Sequence, residues 1–127
     1  MATSLVVRVF SLPLMSAGAE TIANAPFPKP PDTRGTPDQL TLGEVRFVEQ
    51  RSRCHVFGTS VTPDLRKLPP EIHNIFKEIV LGGAFAPAGM ESFSDILSEP
   101  DVDAIHAYLI DQAWQGYNEQ EKSRRPN

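Results

Sequence analysis

A single cysteine, Cys54, in a chain of 127 residues limits what can hold a fold of this size together. No intramolecular disulfide can form. Prolines then shorten the stretch that can fold: Pro26, Pro28, Pro30, Pro31 and Pro37 all fall between residues 24 and 37. Each fixes φ and lacks an amide proton, so residues 24–38 read as an extended linker of polyproline II character. The folding unit that remains, residues 39–117, is about 80 residues long and buries only a thin core. A domain that small, without disulfides, is stapled by something else, and here the staple would be a cofactor.

The domain reads as helical. Thr41 with Glu44 three residues on forms a capping box, and Leu42, Val45 and Val48 follow at helical spacing. The expected first helix is Leu42 to Gln50. Pro69-Pro70 opens a second, with Ile72, Ile75, Phe76 and Ile79 as its buried stripe and Gly82-Gly83 as its end. Ser98 with Asp101 caps a third, whose core face is Val102, Ile105 and Leu109 and whose stop is Gly116. The expected fold class is all-α, three main helices with long loops, and residues 118–127 as a polar tail.

The segment carrying most chemistry is Arg51-Ser52-Arg53-Cys54-His55. It reads as the c-type haem attachment signature, C-x-x-C-H, with Arg51 where the first cysteine would stand. In the intact signature both cysteines bond haem vinyls and the histidine ligates iron. A second segment, Gly89-Met90-Glu91-Ser92-Phe93, supplies a thioether.

With these segments the chain resembles the small cytochrome c domain at the C-terminus of the quinohaemoprotein, or pyrroloquinoline-quinone-dependent, alcohol dehydrogenases. The resemblance runs roughly over residues 38–114. Gly43, Phe47 and the pentad 51–55 match the family's first helix and haem loop. Pro63-Asp64-Leu65-Arg66, the run 79–84 followed by Gly89-Met90, and the stretches 101–105 and 107–110 match in order after them. The departure is Arg51. The resemblance implies a cytochrome c-like domain around a haem pocket, with His55 as proximal ligand, Met90 as distal ligand and Cys54 as the single thioether. It implies that the Pro63 carbonyl orients the His55 ring, and that Gly43 and Phe47 meet the aromatic of the last helix, Tyr108. It further implies a periplasmic electron carrier. Its redox partner would be a quinone-bearing dehydrogenase propeller or a respiratory acceptor. Val80, Leu81, Phe85 and Phe93 would lie under the haem. Arg51 either meets a haem propionate or is simply solvated.

Other readings stay open. The chain could be a haem-free, decayed cytochrome-like interaction module, or a truncated piece of such a dehydrogenase. Residues 1–23 read either as a remnant strand around Ser4–Phe10 or as a signal-like segment ending at Ala17-Gly18-Ala19. A net charge of −4 argues against nucleic acid. No apolar run approaches the ~20 residues that a membrane helix needs. No Ser/His/Asp set or phosphate loop suggests an enzyme. His73 and His106 read as exposed, structural residues.

Overall fold

The structure, a computed structural model, describes residues 25–50 and 63–126. Among these residues four helices form and no strand: α1 (Pro37–Gln50), α2 (Pro70–Asn74), α3 (Phe76–Val80) and α4 (Glu99–Arg124). Short 3-10 turns lie at Leu65–Lys67 and Ala86–Ala88. The all-α expectation holds. No helix of the described residues is long and apolar enough to cross a membrane.

α1 begins one turn earlier than expected. The Thr36 hydroxyl accepts from the Gln39 amide at 3.2 Å, and the Gln39 side chain accepts from the Thr36 amide at 3.2 Å. That reciprocal cap, with Pro37 in the first helical position and Asp38 in the first turn, outcompetes the one read at Thr41. Thr41 sits inside the helix and donates to the Pro37 carbonyl at 3.1 Å. The apolar spacing of Leu42, Val45 and Val48 marks a helix, but on its outer side, where the three are 37, 47 and 56% exposed. The buried face carries Gly43 and Phe47.

Gly43 explains that choice of face. A Cβ at this position would lie 2.0 Å from the Ala104 carbonyl oxygen and 2.8 Å from the Tyr108 Cβ. α1 and α4 therefore cross almost backbone to backbone, and only glycine permits it. One turn on, the Phe47 and Tyr108 rings pack at 5.7 Å between centroids, tilted 45°. This is the meeting that the resemblance implied.

α4 is the spine. Ser98 and Asp101 cap it as read from the sequence, each bonding the other's backbone amide. Arg46 of α1 donates to the same Asp101 carboxylate at 3.0 Å. The Ser98 amide and hydroxyl, and then Arg46, hold that carboxyl below its ordinary range. Val102, Ile105 and Leu109 are essentially inaccessible and pack with Val80 and Phe76 into one core. The helix then runs through Gly116, the expected stop, to Arg124.

The proline-rich segment is docked. Phe27 lies on Gly116, where a Cβ would approach its ring to 2.3 Å. The Phe27 amide donates to the Gln120 side chain at 2.7 Å, which in turn donates to the Phe27 carbonyl at 3.2 Å. Trp114 Nε1 donates to the Pro31 carbonyl at 2.8 Å, and the Arg34 guanidinium lies 4.6 Å from the Trp114 ring centre. Prolines leave backbone carbonyls without local partners, and side chains of α4 collect them.

Candidate functional site

The helix expected over 69–81 is broken. Ile75, with φ −113° and ψ 17°, separates α2 from α3. The break turns α3 so that Phe76, Ile79 and Val80 face the core, while Ile75 is left 40% exposed. Residues of both helices, Ile72 of α2 and Phe76 and Ile79 of α3, line a cavity of about 240 Å³.

Among the described residues the cavity wall is apolar: Pro63, Leu65, Leu68, Pro69, Ile72, Phe76, Ile79, Phe85 and Met90 line it. Two short backbone devices shape the loops that contribute to it. On the first, the Asp64 side chain caps the Leu65–Lys67 turn and takes a two-pronged ion pair from Arg66, at 2.6 Å at its closest. On the second, Gly89 adopts the left-handed φ of +92° that a side chain would resist. The Met90 amide then donates to the Phe85 carbonyl at 3.1 Å. The loop beyond is tied back by Phe93, whose amide donates to the Val80 carbonyl at 2.8 Å, and by Ser92 to the Leu81 carbonyl.

Met90 is half-buried and packs on the core. The structure brings it to one cavity with Pro63, the residue whose carbonyl the resemblance paired with His55. Cys54, His55 and Arg51 lie outside the described residues. The N-terminal segment 1–23, with its strand-like and signal-like readings, lies outside them too. Phe85 stands at the cavity rim, 39% exposed. Phe93 and Leu81 pack against the core beside Val80. Among the described residues no group of three or more His, Cys, Asp and Glu side chains gathers to hold an ion. A haem iron would ask for less, two donor side chains in an apolar surround, and the soft thioether of Met90 in the lining of this cavity would suit it.

The reading of His73 and His106 as exposed is corrected. His73 is buried at 9% and His106 is half-buried. His73 Nδ1 and His106 Nε2 are 2.9 Å apart. The ring planes differ by only 22° and the centroids by 5.1 Å, so the rings meet edge to edge along a hydrogen bond. The face of His106 lies on Phe76 at 4.4 Å and 10°. Burial lowers the pKa of His73, against the Leu68 carbonyl, which raises it. His106 is pushed down to about 4 by burial first and by its neighbour His73 second, with Asp103 opposing. The signal was present: position 106 sits beside the 102–105–109 stripe on a helical wheel, and 73 one turn before Phe76.

Known proteins share this sequence. Over 89 residues, 68% of its length, the chain is 40% identical to quinohemoprotein alcohol dehydrogenase ADH-IIG of Pseudomonas putida. It is 32% identical over 97 residues to ADH IIB of the same organism, and 33% identical over 100 residues to lupanine 17-hydroxylase (cytochrome c) of a Pseudomonas species. A solved structure of ADHIIG superposes with a TM-score of 0.69 at 37% identity, over 80% of this chain and 15% of that one. The chain spans only 12–14% of the length of the three relatives. No protein-family model matches it. The all-α, cytochrome c-like domain described above thus resembles one short segment of the quinohaemoprotein alcohol dehydrogenases.

Proposed function

We propose that the chain is a haem-binding electron-transfer module. The observation that carries this reading is Met90, which follows the left-handed Gly89 turn and lines a cavity whose described wall is apolar. The names of the relatives, quinohemoprotein and cytochrome c, support it. His55 and Met90 would hold the iron, and Cys54 would carry a single thioether. A bound haem would supply a one-electron couple. The chain's own part would be to hold the iron through His55 and Met90 and to exclude water with the Leu68, Ile72 and Phe76 wall. With both ligands supplied by the chain, the group would suit outer-sphere transfer rather than oxygen chemistry, and a thioether donor would favour its ferrous state and raise its potential. The partner would be a dehydrogenase propeller or a respiratory acceptor, in the periplasm.

Arg51, in place of the first attachment cysteine, favours a second reading, a haem-free interaction module. One experiment separates the two. The chain is produced in a host with c-type haem assembly, and its spectrum and intact mass are measured. The expected result is one covalent haem, a low-spin spectrum, and a weak near-infrared sulfur-to-iron band that Met90→Ala removes. A chain that takes up no haem, with or without Arg51→Cys, rejects the proposal. A band that survives Met90→Ala rejects the ligand.

A further inference from the structure

We propose that the buried His73–His106 hydrogen bond is a proton-operated latch between α2 and α4. It holds the pocket wall in place while both rings are neutral and loosens it when the pair takes up protons.

The geometry supports a latch in three ways. First, the bond joins elements far apart in sequence. α2 holds to α4 through few other polar contacts among those described, and the edge-to-edge 2.9 Å contact fixes their register. Second, the bond needs one donor and one acceptor, which two neutral rings supply in whichever tautomers they adopt. A doubly protonated pair would set two donors against each other. Third, the surround is poor at receiving charge. One face of His106 is covered by Phe76, which itself lines the cavity, and His73 follows Ile72, which lines it too.

Among the described residues, Asp103, Lys77, Arg34 and Asp111 are the charged groups placed around the pair. Asp103 on α4 faces the same crevice as His106, but it is engaged by Lys77 of α3 at 3.1 Å. Arg34 of the proline-rich segment lines that crevice and pairs with Asp111 at 3.8 Å. One partly compensated carboxylate therefore opposes burial and the neighbouring imidazole at His106. Both histidine pKa values lie below the ordinary value, His106 at about 4. The unfolded or opened chain then binds more protons than the closed one between about pH 6.5 and 4, so closure weakens as pH falls through that window and is complete above it. The pair titrates as a unit.

The latch stands without haem, whereas its effect on a haem-loaded pocket rests on the haem reading. The test follows amide exchange protection of α2 and α3 from pH 7 to 4 in the full chain, beside the His73→Phe/His106→Leu variant. Protection in the wild type should fall at least about tenfold further than in the variant, a figure discounted because His106 keeps an opening to solvent. Parallel losses in the two proteins overturn the latch. Should the variant fail to fold, the imidazole C2 protons of the wild type decide alone: titration of both rings at or above pH 6.5 overturns the proposal, and titration well below it supports it. In haem-loaded chain, the near-infrared band should fade in the same window. A latch without that fading overturns its coupling to the pocket and leaves the haem reading intact.

Discussion

The α1–α4 crossing and the pocket lobe, α2 and α3 with the loop to Met90, are built on opposite principles. The crossing is finished by protein alone. Gly43 brings backbones into contact, Phe47 and Tyr108 fill the next turn, and Arg46 to Asp101 fastens one end. The pocket lobe has two five-residue helices, too short to be stable in isolation, that surround an apolar cavity. Both halves share one core, to which the lobe gives Phe76 and Val80, but only the lobe also lines an apolar cavity. The difference teaches where the protein packs fully against itself and where it leaves apolar surface beside a cavity.

Gly43→Ala attacks the self-sufficient half and should have the largest effect. The added methyl meets a carbonyl oxygen, which cannot rotate away as a side chain would. Overpacking of this kind costs about 3 kcal/mol. A urea midpoint near wild type would show that the helices cross with room to spare, and the comparison would lose its first term.

Haem tests the second term. Added to a haem-free chain at a hundredfold excess over its Kd, a ligand of the native state stabilises by about 2.7 kcal/mol. If the pocket lobe is the unfinished half, exchange protection should rise most in α2 and α3, at Ile72, Phe76 and Ile79, and least in α1. A uniform rise would mean that the two halves fold as one unit.

The same contrast decides what the sequence made legible. The core face of α4 could be read from its period, because Val102, Ile105 and Leu109 pack against protein. The face of α1 could not be read that way. Its apolar residues Leu42, Val45 and Val48 outvote a glycine, and a glycine announces close approach only when the partner helix is known. The resemblance supplied that partner. The break at Ile75 has no sequence mark of its own, since isoleucine suits a continued helix, and tertiary packing sets it. The histidine pair escaped because polar residues beside an apolar stripe read as solvated, although each ring supplies the other with the partner that burial demands. Met90 was placed at the cavity by motif. The loop turn at Gly89 is the physical reason it sits there.

A third change probes the spine where α4 serves both halves. Asp101→Asn keeps the side-chain size but removes the charge that Ser98 and Arg46 share. Loss of the charged cap should cost about 1 kcal/mol. Because the carboxyl is held below its ordinary range, the wild-type advantage is present above the normal carboxylate pKa and is lost as pH falls through the depressed value. Stabilities of the two proteins should converge in acid. A constant gap from neutral pH to acid would show that the carboxylate's charge contributes nothing at this site.

Gly116→Ala should change stability least, for a reason that separates it from Gly43→Ala. Both add one methyl to a helical glycine at a contact shorter than any real Cβ makes. At Gly43 the obstacle is backbone. At Gly116 it is the edge of the Phe27 ring, the end of a side chain that can turn, on a segment held to α4 by hydrogen bonds from Gln120 and Trp114 and not by packed backbone. α4 gains about 1 kcal/mol of helix propensity from the substitution. The segment loses the Phe27 contact and the paired Gln120 bonds, worth about 1–2 kcal/mol together. The two nearly cancel in a melting curve, so the readout must be local. Tryptic cleavage after Arg34 should speed up, and Trp114 fluorescence should shift as its bond to the Pro31 carbonyl is strained. If cleavage stays slow while the melting temperature falls by several degrees, the segment yields no more than backbone does, and it counts as part of the self-sufficient half.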